Sequence, residues 1–253
     1  MPRYFLELAY KGTAYSGFQV QDNAKTIQSE VQEALETLFR QSFALTGSSR
    51  TDAGVHAKQN FFHFDTELVI VARSVYNLNA LLPQDITVKG IYPMPETAHC
   101  RFDAVSREYT YLLYHKKDPF LNDRGWLFPY PLDINNLQQA ASLLMDYRDF
   151  TSFSKRNTQV KTFFCEISHS EWRKEEEGLI YQVKANRFLR GMVRGLVGTM
   201  IKLGRGQITI DRFKEIIEAK DSGLADFSTP PQGLFLNHVY YNDTLKPYLY
   251  PNH

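Results

Sequence analysis

The sequence predicts an α+β fold built mainly on antiparallel strands, and three observations carry that prediction. Stretches with period-two alternation recur along the chain, and stretches with apolar residues at helical spacing separate them. Most strands are connected as hairpins, which sets helices on an antiparallel sheet rather than weaving a parallel one. No low-complexity run or long linker interrupts the pattern.

The first hundred residues read as β-α-β-β-α-β. Arg3 to Tyr10 alternates, with Tyr4, Leu6, Leu8 and Tyr10 on one face and Arg3, Phe5, Glu7 and Ala9 on the other. A Gly-containing connection leads to a helix starting near Thr26, a residue suited to the N-cap. Ile27, Val31, Leu35 and Leu38 form its apolar stripe, with Glu30, Glu33 and Glu36 on the exposed side. Strands are expected at Phe43 to Ser48 and at Lys58 to Asp65. A second helix carries Val71, Val75, Leu78 and Leu82 and ends at Pro83, and a strand follows from Ile86 to Tyr92. The later part repeats this grammar. Val105 to His115 is a long alternating strand, and Ile134 to Met145 a helix. Phe163 to Arg173 and Leu179 to Ala185 form a hairpin around the acidic turn Lys174 to Gly178. Helices are expected at Arg187 to Leu203 and Ile210 to Lys220, and a last strand at Leu234 to Tyr241. The expected division is an N-terminal half, residues 1–103, and a C-terminal half, residues 104–253.

Composition narrows the function classes. With 29 Lys+Arg against 28 Asp+Glu the formal net charge is +1, which argues against a uniformly polybasic protein. The longest apolar runs, such as Leu68 to Ala72, fall far short of the ~20 residues of a membrane span. The N-terminus enters a strand pattern without the features of a signal peptide, so a cytoplasmic location is expected. Cys100 and Cys165 make neither a disulfide framework nor a CxxC zinc pattern. Gly204-Arg-Gly206 lacks the third glycine and the preceding strand of a dinucleotide site. The 18 Phe, 15 Tyr and 2 Trp exceed what a core of this size requires.

One segment breaks the periodicity on both sides: Gly47-Ser-Ser-Arg50-Thr-Asp52-Ala-Gly54-Val-His56-Ala57. Its turn chemistry makes it a loop between two strands. Arg50 stands two residues before Asp52, and a nearby cation favours the ionised carboxylate that a nucleophile or general base requires.

The string Arg50-Thr-Asp-Ala-Gly-Val-His-Ala57 resembles the signature loop of the TruA family of tRNA pseudouridine synthases. Other segments agree in chain order. They are Tyr10-Lys-Gly-Thr-Ala-Tyr-Ser-Gly-Phe-Gln19, with Phe18 where Trp is usual, Asn79 to Ile86, Ala98-His-Cys-Arg-Phe102 and Arg107-Glu-Tyr-Thr-Tyr111. Asp149 to Phe153, Ala185 to Arg194 and Pro230-Pro-Gln-Gly-Leu234 complete the set, so the resemblance spans nearly the whole chain. It implies a pseudouridine-synthase fold, a mainly antiparallel central sheet flanked by helices, in two ferredoxin-like halves. It implies an isomerase that turns uridine into pseudouridine in the anticodon stem-loop of tRNA, at positions 38 to 40, with no cofactor and no metal. It also implies that the working form is a homodimer; the aromatic surplus fits an interface.

By the same resemblance Asp52 is the nucleophile, Tyr109 contacts the base and Arg194 is the basic residue near the carboxylate. A uridine in a stem must leave its stack, which costs a few kcal/mol and calls for a stacking face. Tyr109 and Tyr111 share one face of their strand, so Tyr111 is the alternative should the register differ by two. Arg50 is a candidate for filling the gap left by the flipped base, or for ordering Asp52. Arg187, Arg190 and Arg194 fall at i, i+3 and i+7 of the expected helix, and Gly178 to Ile210 holds six Lys/Arg and no acid, a field suited to phosphates. His56 is expected to shape the loop and His63 to be a satisfied core or edge histidine. His99 beside Cys100 is too isolated for a metal, and Asp65, Asp85 and Asp103 read as strand-end or turn carboxylates. Two other readings differ in products: a non-catalytic tRNA-binding or RNA-chaperone protein forms none, and a nucleoside hydrolase releases uracil. A two-carboxylate glycosidase has no second member here.

Overall fold

The computed structural model describes residues 1–156, 160–176 and 178–249, so Glu177 of the expected acidic turn lies outside the described residues. The architecture is α+β, with mostly antiparallel strands flanked by helices. The chain forms two compact units, Met1–Val105 with Leu236–His253, and Ser106–Phe235. Where the sequence places all of 104–253 in the second half, the segment from Leu236 returns to the first.

The first unit orders its strands β4-β1-β3-β9: β1 is Arg3–Tyr10, β3 His56–Asp65, β4 Ile86–Met94 and β9 Leu234–Tyr241. β1 runs antiparallel to both β3 and β4. Because β1 has neighbours on both sides and is covered on both faces, Phe5, Leu6, Glu7 and Leu8 are all buried. Glu7 accepts hydrogen bonds from Gln59 Nε2 and the Tyr92 hydroxyl, both at 2.9 Å, which satisfies a carboxylate that burial would otherwise penalise.

Helix α1, Ile27–Phe39, starts where the sequence places it: Thr26 accepts from the Ser29 N–H, and the Ser29 side chain accepts from the Thr26 N–H. Helix α2 is Arg73–Leu81, and α6 is the single turn Lys246–Leu249. Of the strand expected at Phe43 to Ser48, only β2, Thr46–Gly47, pairs with β3. At its end Gly47 admits the Phe18 ring: a Cβ there would lie 2.3 Å from Phe18 Cε1.

The second unit orders β5-β8-β7, with β5 Ala104–Tyr114, β7 Ile167–Glu175 and β8 Gly178–Ala185; the short β6, Trp126–Leu127, pairs parallel with β5. Helices α3, Ile134–Leu143, α4, Met192–Gly204, and α5, Ile210–Glu218, accompany this sheet. Helix α4 corrects the sequence expectation, because it begins at Met192 rather than Arg187. Gly191 is left-handed at φ +73°, and the Arg190 carbonyl accepts from the Lys155 N–H at 2.9 Å instead of from a helical donor. Arg187 and Arg190 therefore lie in the link before the helix and share no helical face with Arg194. Helix α4 is buried around almost its whole circumference, with Leu196, Val197 and Met200 fully inside. The aromatic surplus is largely core: Phe5, Phe18, Phe61, Phe62, Phe64, Phe150, Phe153, Phe213, Tyr111 and Tyr181 are all below 2% exposed. No helix among the described residues is long and apolar enough to cross a membrane.

Candidate active site

The loop 48–55 leaves β2 and enters β3, and it is held by the segment that follows β1. That segment opens with a 3-10 turn, Gly12–Ala14. The Gly12 N–H donates to His56 Nδ1 at 3.0 Å, which fixes the proton of the neutral ring on Nε2 and explains a histidine buried to 1% exposure. Gly12 must be glycine, since a Cβ there would stand 2.0 Å from the Val55 carbonyl oxygen. The Phe18 N–H donates to the Thr51 carbonyl at 3.1 Å, and the Gly54 N–H donates to the Tyr15 carbonyl at 3.3 Å. A turn closed by the Val55 N–H on the Asp52 carbonyl, 3.2 Å, places Gly54 at φ +78°.

Two side chains anchor the holding segment. Tyr15 donates to Asp85 Oδ1 at 2.5 Å, and burial with this carboxylate partner raises the phenol's pKa strongly. Phe18 stacks on Phe62 with centroids 4.5 Å apart and planes at 13°, and it also meets the Tyr10 ring at 5.9 Å. The aromatic at position 18 is thus a buried wedge beneath the loop. On the loop itself Asp52 is half-buried and Arg50 is exposed. Arg50 pairs with no carboxylate among the described residues.

In the second unit the expected residues separate. Tyr111 is fully buried; its hydroxyl donates to the Pro230 carbonyl at 2.7 Å, and its ring fills the space a Gly233 side chain would need. Burial pushes its phenol pKa well up, opposed by the charge of Arg194. Tyr111 offers no ring face to a base, which corrects its place as the alternative stacking residue. Tyr109 keeps 9% exposure and meets Phe188 edge-on, with centroids 5.0 Å apart. Arg194 is aimed by its Nε–H bond to the Thr229 carbonyl at 2.7 Å, and Thr229 Oγ1 donates back to the Arg194 carbonyl at 2.8 Å. The segment Thr229–Gly233 therefore seats both Arg194 and Tyr111. Arg190 is exposed; Arg187 is half-buried and its charge opposes the burial that pushes the Cys165 thiol up to about 11. Two of the six cations of the basic stretch serve the fold: Lys202 pairs with Asp226 at 3.2 Å, and Arg205 lies 4.5 Å over the Tyr130 ring.

His63, His99 and Cys100 come together across a sequence gap that hid their proximity, with ligand atoms within 4.8 Å. Hydrogen bonds account for them. His99 Nδ1 accepts from the N–H groups of Arg101 and Phe102 at 3.1 and 3.3 Å, so the neutral ring has no lone pair left for an ion. Cys100 Sγ donates to the Thr46 carbonyl at 3.1 Å and lies 3.2 Å from His63 Nδ1. Burial, helped by the charge of Arg3, lowers the His63 pKa to about 4 and keeps it neutral.

The sequence profile of the tRNA pseudouridine synthase family matches residues 8–103 and 140–242, which takes in the loop, its holding segment and the Arg194 helix. The chain belongs to the tRNA pseudouridine synthase family. Members of this family are isomerases that convert uridine to pseudouridine, and the α+β architecture is theirs. The chain is 46% identical over 252 residues to tRNA pseudouridine synthase A of Parabacteroides distasonis, covering 98% of this chain and 99% of that one. The enzyme of the same name from Bacteroides thetaiotaomicron is 43% identical over 249 residues, 97% and 93% of the two chains. That of Staphylococcus aureus strain MRSA252 is 35% identical over 251 residues, 97% and 95%.

The docking of the loop generates a test. Gly12→Ala drives a methyl into the Val55 carbonyl and must displace the loop or the turn. The variant is expected to lose about 1–3 kcal/mol of stability, read from denaturant unfolding, together with most of its pseudouridine-forming rate. Wild-type values for both would show that the loop does not depend on this contact.

Proposed function

We propose that this enzyme isomerises uridines in the anticodon stem-loop of tRNA, at positions 38 to 40, with Asp52 as the nucleophile. The observation that carries the reading is the intact Arg50–Ala57 signature, on a loop whose backbone is fixed at Thr51, Asp52 and Gly54. A half-buried carboxylate on a held backbone suits attack on one defined atom of a flipped nucleotide. The N-glycosidic bond breaks, the uracil turns, and a carbon–carbon bond to the ribose replaces it. The base proton lost at that carbon is matched by one gained at the freed nitrogen, so no redox change occurs.

Tyr109 supplies the stacking face, worth about 1–3 kcal/mol for a base on a ring. Arg194 serves the carboxylate and its substrate, and Arg50 takes the gap in the stem. Arg190 and Arg187 serve as backbone contacts from the link before α4, where Arg190 is exposed. The working form is a homodimer, a reading that rests on the resemblance to the family. Light scattering at working concentration is expected to give twice the monomer mass; the monomer mass contradicts it.

Asp52→Asn and Asp52→Ala are expected to fold and bind unmodified tRNA like the wild type while forming no pseudouridine. The check is incubation with the tRNA followed by pseudouridine mapping. Appreciable turnover by either variant would remove Asp52 from its role. A wild type that binds tRNA and modifies nothing would be a binding protein, and release of free uracil would make it a hydrolase.

A further inference from the structure

Asn60 is a primary amide in the middle of β3, fully buried and followed by Phe61 and Phe62. Strand packing alone would favour an apolar residue there, since a buried amide is tolerated only when its hydrogen bonds are made. They are made to the loop. The Phe61 N–H donates to Asn60 Oδ1 at 2.9 Å, which fixes the orientation of the amide. Asn60 Nδ2 then donates to the Ser49 carbonyl at 2.8 Å and to the Tyr10 hydroxyl at 3.2 Å. The Tyr10 hydroxyl shares a further bond of 2.7 Å with Thr51 Oγ1.

The chain of contacts is local to the place where strand becomes loop. Tyr10 ends β1 opposite Ala57, the second residue of β3. Asn60 thus grips the loop directly at Ser49 and, through Tyr10, at Thr51. The two gripped residues flank Arg50, and the second immediately precedes Asp52. With the Thr51 carbonyl held by Phe18 and the Asp52 carbonyl held by Val55, the backbone on both sides of the Asp52 side chain is fixed.

We infer that Asn60, acting through the Tyr10 hydroxyl on Thr51, is a positioning residue that sets the attack geometry of Asp52. The inference rests on the reading of Asp52 as nucleophile. Neither Asn60 nor Tyr10 touches the reacting atoms; their effect is on where the carboxylate stands. Misplacement of a reacting group by about 1 Å can cost on the order of 100-fold in rate, whereas binding energy spread over a tRNA is hardly affected.

The test compares Tyr10→Phe, Asn60→Asp and Thr51→Val with the wild type in single-turnover pseudouridine formation on saturating tRNA, with tRNA affinity and thermal unfolding measured in parallel. Tyr10→Phe keeps the ring on Phe18 and removes only the hydroxyl. Asn60→Asp keeps the shape and removes the donor. Each is expected to lower the single-turnover rate by about 10–100-fold with tRNA affinity unchanged and the protein folded at the assay temperature. The Tyr10→Phe/Thr51→Val double variant is expected to lose no more than the worse single, because both break the same link. Wild-type rates in folded Tyr10→Phe, additive losses in the double variant, or losses that follow the unfolded fraction would each overturn the inference. A wild type that forms no pseudouridine fails the Asp52 reading itself, and this inference falls with it.

Discussion

The first unit is organised around one contact: the backbone of loop 48–55 lies directly on the backbone of the segment after β1. At Gly12 the approach is so close that no side chain fits beneath the Val55 carbonyl. From this follow the glycine at 12, the burial of His56 with its Nδ1 turned to the Gly12 N–H, and the bonds from Phe18 and Gly54. The loop is thereby a third partner of the β1–β3 pair rather than a free connection. A surface loop usually trades order for access; here the backbone is tied at one residue after another while Arg50 stays outside.

The holding segment is itself held from below. Phe18 is wedged between Gly47 and Phe62, and Tyr15 is bonded to Asp85 at the start of β4. These contacts run through three stretches distant in sequence: the β1 extension, the β2–β3 loop and the turn before β4. Their common purpose explains why the first unit spends so many aromatic residues around one short loop. Two acids, Glu7 and Asp85, serve this unit as hydrogen-bond acceptors.

Much of this was legible in the sequence because local rules agreed with the fold. The Thr26 cap, the strand from Arg3 to Tyr10 and the last strand from Leu234 to Tyr241 stand where periodicity and capping put them. The loop was visible as a break in periodicity. The start of α4 was not, because Arg187, Arg190 and Arg194 keep helical spacing by coincidence across a left-handed glycine, and the donor that takes the Arg190 carbonyl comes from Lys155. Strand alternation likewise puts Tyr109 and Tyr111 on one face but cannot show that Thr229–Gly233 closes over Tyr111. The role of Asn60 is not legible in the sequence, where it is one of two adjacent amides, Gln59-Asn60, before two phenylalanines; its partners lie 11 and 50 residues away and no spacing rule connects them.

Placement of Asp52 by its backbone requires a loop as rigid as the sheet that carries it, and native-state amide hydrogen exchange measures that rigidity directly. The N–H groups of Gly12, Phe18 and Gly54 are the donors of the three docking bonds, and that of Val55 closes the turn within the loop. They are predicted to exchange as slowly as the amides of β1 and β3, opening only with the sheet. Exchange at the rate of an exposed turn, with β1 and β3 still protected, would mean that the loop moves independently and that its backbone does not place Asp52.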